Sequence, residues 1–189
     1  MSFKMKKLFF ALILFAQIAN SQEQETASVE KSIFGIQTGI LGIWVHNELR
    51  LSNQFSLRSE IGYDLGIFGG TNYEGDNFIL IPSIRVEPRW YYNLDKRLSK
   101  GKSISKNSGN FLAVNITYNT DEPSISNNDN VNVLSSIAII PKWAIKRTYG
   151  NHFTFETGFG MGYVKYLESY NSVNGDLGID LHLRIGYTF

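Results

Sequence analysis

The run from Asp176 to Phe189, D-L-G-I-D-L-H-L-R-I-G-Y-T-F, constrains this chain more than any other stretch. Its odd positions are apolar or aromatic (Leu177, Ile179, Leu181, Leu183, Ile185, Tyr187 and Phe189), and its even positions are polar or small, with Asp180, His182 and Arg184 among them. A period of two held for so long is a strand with one apolar and one charged face. Ionised side chains cannot be left unpaired in an apolar core, so an ordinary buried sheet strand is excluded.

The same alternation recurs along the chain. Between Ile33 and Leu51 the apolar set is first even (Phe34, Ile36, Ile40) and then odd (Ile43, Val45, Leu49, Leu51). That change of phase at Leu41-Gly42 predicts a tight turn between strands at about 33–41 and 43–52, with one long bulged strand as the alternative. Nine residues at ~3.3 Å each, tilted by ~40°, cover roughly 23 Å, close to the ~25 Å apolar band of membrane barrels. Further strands are expected over 55–68, 78–94, 111–119, 131–147, 152–167 and 176–189. Pro82 and Pro88 each remove a ladder donor, so weakened pairing or bulges are expected in 78–94. A single-chain barrel whose last strand closes on its first needs an even number of strands. The predicted fold is all-β, an antiparallel eight-stranded up-and-down transmembrane β-barrel over residues 33–189.

The start of the chain has Lys4, Lys6 and Lys7, an apolar run from Leu8 to Ala16, and then Ala19-Asn20-Ser21. This reads as a secretory signal over 1–21, too short in its apolar part to span a bilayer as a helix. The polar stretch 22–32 is expected to be a flexible periplasmic lead-in. Without those three lysines the 18 bases fall to 15, against 17 acids, and nothing resembles a nucleic-acid footprint. With no cysteine, a cysteine-linked lipid anchor, disulfides and thiol chemistry are all excluded. Glycine (17 residues) together with 14% aromatic content suits a barrel that needs tight curvature and interfacial girdles.

The connections fall into two groups. Short turns at 52–54 and 149–151, with the basic segment 95–110, belong to one end, expected to be periplasmic. Polar loops at 69–77, 120–130 and 168–175 belong to the other, expected to be extracellular and open to a ligand. The basic segment is long for a periplasmic connection.

With the signal, the alternating strands and the terminal Y-T-F together, the chain from about residue 33 onward resembles the small eight-stranded outer-membrane barrels of Gram-negative bacteria, of the OmpA or OmpX type. The segments PRWYYNL (88–94) and LHLRIGYTF (181–189) are also similar to those of barrels from the Bacteroidetes. The resemblance implies an outer-membrane location, with lipid and the barrel-assembly machinery as partners, and a monomer. It also implies a barrel-closing role for Leu181, Leu183, Ile185, Tyr187 and Phe189.

The strand phases turn Glu48, Arg50, Arg58, Glu60, Arg85, Glu87, Arg89, Lys142, Lys146, Glu156, Asp180, His182 and Arg184 inward, five acids and seven bases with one histidine. An eight-stranded barrel is only wide enough for side chains to fill it, so the expected lumen is a plug of ion pairs. The expected function is non-enzymatic, a structural or surface-contact role. A narrow channel is the alternative, and a lipid-modifying enzyme a more distant one. His152, Thr154 and Glu156 share a spacing similar to the His and Ser of outer-membrane lipid A deacylases, but a threonine facing the lumen does not suit a lipid approaching from outside. His46 and His182 without a close carboxylate set make no metal site, so no metal or cofactor is expected. Trp44, Trp90 and Trp143 are expected to be interfacial aromatics.

Overall fold

The computed structural model describes residues 26–70, 73–128, 133–170 and 173–189; the expected signal 1–21 and the first part of the lead-in, 22–25, lie outside them. Nine strands follow in order: β1 (Ser32–Gly39), β2 (Gly42–Arg50), β3 (Phe55–Gly70), β4 (Tyr73–Trp90), β5 (Gly109–Asn119), β6 (Ile125–Ser126), β7 (Ser136–Tyr149), β8 (Phe153–Tyr170) and β9 (Val173–Thr188). All but the two-residue β6 form the wall. Each pairs antiparallel with its neighbours, in the order β3-β2-β1-β9-β8-β7-β5-β4, and β3 pairs with β4 to close the ring. The fold is an eight-stranded up-and-down barrel. Its closing ladder runs from Gly35↔Thr188 to Gly39↔Arg184, and the Phe189 amide adds a hydrogen bond to the Phe34 carbonyl at 2.9 Å.

The phase change at Leu41-Gly42 is a two-residue turn, Ile40-Leu41, between paired Gly39 and Gly42. Gly42 has φ +143°, a region that L side chains rarely enter. The prolines act as expected on one side only. β4 pairs with β3 straight through Pro82 and Pro88, whereas its ladder with β5 omits Glu87 and Pro88. On every strand the apolar set faces out and stays exposed, from Phe34 and Ile36 to Leu181 and Ile185. Aromatics gather at the end that holds the chain terminus. There Phe55 stacks on Trp90 with ring centres 6.1 Å apart, and Tyr187 meets Phe189 at 5.4 Å and Phe153 at 5.6 Å. No helix among the described residues is long and apolar enough to cross a membrane.

Two of the three expected outer loops are largely strand. β3 and β4 stay paired up to Gly70↔Tyr73 through much of 69–77. β8 and β9 reach Tyr170↔Val173 through most of 168–175. The glycines, asparagines and serines of those stretches mark a solvated hairpin as readily as a loop. Residues 71–72 and 171–172, at the two tips, lie outside the described residues. Over 120–130, β6 pairs Ile125 with Leu80 and Ser126 with Ile79, so this loop lies along β4. At its root the Ser135 hydroxyl donates to Asp121 at 2.9 Å and holds that carboxyl below its usual range. β7 starts at Ser136, later than the expected 131; residues 129–132 are outside the described set.

The basic segment has a definite place. Helix α1 (Leu94–Leu98) and a 3-10 turn at Ser105–Asn107 fold under the barrel. Tyr91, Leu94 and Phe111 pack there with Ala27 and Val29. The lead-in is therefore not free over its last residues: Val29 donates its amide to the Asn53 carbonyl at 2.9 Å, and Ala27 and Val29 are buried. Their apolar side chains cover the barrel's open base, which no wall strand can do.

Candidate functional site

The lumen is built by inward positions spaced two apart. β2 supplies Trp44, His46 and Glu48; β3 supplies Arg58, Glu60 and Asp64; β4 supplies Arg85, Glu87 and Arg89. β7 supplies Lys142 and Lys146, β8 Glu156, and β9 Asp180, His182 and Arg184. Register alone brings some opposite charges face to face, as with Glu60↔Arg85 and Lys146↔Glu156. Others meet by reaching across the barrel. The inner face of β8 makes room with glycines: a Cβ at Gly160 would come within 2.7 Å of the Lys142 Cβ.

The centre of the network is Glu156. It accepts from Arg58 at 2.9 Å, Arg89 at 3.1 Å and Gln37 at 2.9 Å, with Lys146 at 3.8 Å. His182 completes it, with Nε2 3.1 Å from Glu156 and Nδ1 3.2 Å from the Lys142 ammonium. An ammonium can only donate, so Nδ1 is the acceptor and Nε2 carries the proton. Lys142 also pairs with Glu87 at 2.5 Å, and Arg89 donates to Glu87 at 2.6 Å. Arg58 also pairs closely with Glu60.

Below this layer, Glu48 gathers groups from four elements. It accepts from Ser56 (2.7 Å), Tyr91 (2.9 Å), Lys146 (3.0 Å) and the Asn107 amide of the cap (2.8 Å). Above it, Glu60 pairs with Arg85 (2.7 Å) and Arg184 (2.9 Å), and Arg85 also reaches Asp64 at 3.1 Å. Trp44 lies here, with the Arg184 guanidinium 3.8 Å over its ring and its indole N–H donating to Asp64 at 2.7 Å. Asp180 accepts from Asn115 at 3.0 Å and faces Lys142 at 3.4 Å.

The structure brings twelve of the thirteen expected lumen residues into this network; the exception is Arg50. It has the inward phase, but it ends β2 at the rim, is exposed, and donates to Ser28 at 3.0 Å. Alternation fixes the side of a residue and not its height, which is why its phase misleads. Asp64 joins instead, so six acids (Glu48, Glu60, Asp64, Glu87, Glu156, Asp180) meet six permanent bases (Arg58, Arg85, Arg89, Lys142, Lys146, Arg184). Asp64, Gln37, Tyr91 and Asn107 are members that the expected set lacks. Gln37 and Asp64 share the phase of charged inward neighbours and were findable; Asn107 reaches the lumen only through the fold of the cap. Trp44 is a correction. It is 3% exposed inside the barrel, whereas Trp90 (40%) and Trp143 (43%) face outward.

The other groupings do not converge. His152 is exposed, stacks on Tyr187 at 4.8 Å, and has Nδ1 2.7 Å from the Thr188 carbonyl. Thr154 Oγ1 has no hydrogen-bond partner, and Glu156 is committed to the ion network. Both ring nitrogens of His46 are likewise unpartnered. Among the described residues no cluster of His, Asp and Glu is arranged to hold a metal ion.

Over the network lies a cavity of about 190 Å³, lined by Trp44, Asp64, Arg85, Asn115, Asn119 and Arg184 among others. Below it the lumen is filled: Arg58, Glu156, Arg89 and Lys146 are fully buried. Compared with known proteins, the chain matches no family model, no curated protein and no solved structure, so geometry and chemistry carry the functional reading.

Proposed function

We propose that this chain is a non-enzymatic outer-membrane barrel of the small OmpX-like kind, with a plugged lumen and a structural or surface-contact role. The membrane placement draws on the continuous outward apolar belt, the aromatics at its lower edge and the signal-like start of the sequence. Membranes admit strands only as closed barrels, and β1 and β2 close this sheet into a ring over its lower part. One observation carries the non-conducting reading: below the cavity the ion network fills the lumen with side chains at or near zero exposure, over a base capped by Asn107, Tyr91 and Leu94. An aqueous path needs hydrated, unpaired polar groups, whereas these are paired and dry. His152 held by the Thr188 carbonyl, a Thr154 hydroxyl without a partner and a Glu156 committed to Arg58 and Arg89 support the non-enzymatic part.

The test is insertion followed by conductance. The folded protein is expected to float with vesicles, to run with heat-modifiable mobility, and to stay electrically silent in a planar bilayer. The double variant Arg58→Ala/Glu156→Ala, which removes the central pair, is expected to give conductance steps. Steps in the unaltered protein that change with Arg85→Ala or Glu87→Ala would replace this reading with a channel. A changed lipid A profile in cells that make the protein would replace it with an enzyme.

A further inference from the structure

The barrel wall is uneven. Along β3, Phe55 to Leu65 rises about 25 Å, and along β9, Tyr187 to Arg184 rises about 8 Å, at ~3.3 Å per residue and ~40° tilt. The Ile40-Leu41 turn meets the wall between those heights: the Leu65 amide donates to the Leu41 carbonyl at 2.8 Å, and Gly39 pairs with Arg184. In the membrane placement proposed above, an apolar band ~25 Å tall therefore reaches the turn's β3 side with its upper edge and covers its β9 side well within. Its composition agrees. Tight hairpins ordinarily use Asn, Asp or Gly at the tip, whereas this one has Ile40 (65% exposed) and Leu41 (41%).

Above this turn the wall has a gap. β9 from Leu183 to Val173 keeps only β8 as a ladder partner, and β3 from Leu65 to Gly70 keeps only β4. No strand among the described residues lies between them. The upper cavity opens at this gap, because its lining joins the inward Asp180 and Arg184 to the outward Leu181 and Leu183, together with Leu41 and Leu65. Unpaired strand edges in hydrocarbon are costly, so an opening at this depth needs polar groups on its inner side. Behind it the cavity is lined by Asp64, Arg85, Asn115, Asn119, Asp180 and Arg184.

We propose that this gap is a lateral portal, through which a single-chain amphiphile with an uncharged hydroxylated head seats that head in the cavity and keeps its chain along Leu41, Leu65, Leu181 and Leu183. This rests on the membrane placement. The head's chemistry follows from the charges around the cavity: Glu60, Asp64 and Asp180 are matched by Arg85, Arg184 and Lys142. No surplus is left for a phosphate or an ammonium. What remains is the second amide hydrogen and the spare lone pairs of a polar lining in which Asn115 donates to Asp180 and Asn119 to Asp64, each at 3.0 Å, with those carboxylates still 13% and 26% exposed. The cavity would hold about six waters at ~30 Å³ each, which is room for a head and not for a chain.

Trp44 lines the cavity, and replacing the other two tryptophans (Trp90→Phe/Trp143→Phe) makes it the sole reporter. The mature protein, folded into phosphatidylcholine vesicles, is titrated with dodecyl glucoside, glucose and dodecylphosphocholine. Expected are a saturable shift of Trp44 emission with dodecyl glucoside alone, and a roughly tenfold weaker response when Ala138→Phe fills the cavity or Leu41→Arg puts a charge at its mouth. A protein that floats and is heat-modifiable but shows no saturable shift overturns the portal and leaves the barrel reading standing. An equal response to free glucose means entry from the top and overturns the lateral route. An equal response to dodecylphosphocholine overturns the choice of head. A chain that does not insert overturns the membrane placement and the portal with it.

Discussion

The lower and upper halves of the lumen are lined by the same residue types, yet they are held differently. Below, Glu156 and Glu48 each have at least four partners, and their side chains are fully buried. Above, Asp64 and Asp180 keep 26% and 13% of their side-chain surface exposed beside a cavity. A charged pair gains most where water is excluded and where removing one member strands the other. The lower half should behave as a unit and the upper half as a collection of weakly coupled residues.

The largest expected effect follows from that contrast. Glu156→Ala leaves Arg58, Arg89 and Lys146 facing one another in a dry space, and should destabilise the barrel by about 3–5 kcal/mol in reversible urea unfolding. Tyr91→Phe removes one donor to the buried Glu48 and should cost about 1–2 kcal/mol by the same measurement. Asp64→Ala leaves Arg85 held by Glu60 at 2.7 Å but takes the acceptor from the buried Trp44 indole; about 1–2 kcal/mol is expected. If it costs as much as Glu156→Ala, the division of the lumen into two regimes is wrong. Smallest of all, Arg50→Ala should leave the unfolding midpoint unchanged, because Arg50 is an exposed rim residue. A large loss there would return it to the network.

The sequence carried the strand phases and almost all of the lumen because one physical rule, alternation, governs both. It carried the Leu41-Gly42 turn because a turn of even length shifts that phase visibly. It did not carry strand length past Phe68 or Leu167, where the sequence no longer alternates. Trp44 was misread because an indole suits a membrane interface and an arginine-lined lumen equally; the neighbouring Arg184 and Asp64 that decide it come from distant strands. The cap was hidden for a related reason. Asn107 meets Glu48 across 59 residues, a contact no local pattern encodes.

That separation bears on how the barrel comes together. Arg58 and Glu156 are 98 residues apart, Gln37 and Glu156 are 119 apart, and Glu60 and Arg184 are 124 apart. Each pair joins an early strand to a late one, so none can form until nearly the whole chain is in place. The lumen charges must keep their water through the early steps and give it up together at closure. Lys106 Nζ, 3.3 Å from the Phe189 main-chain oxygen, ties the cap to the end of the closing strand, and the base is latched only after the seam is shut.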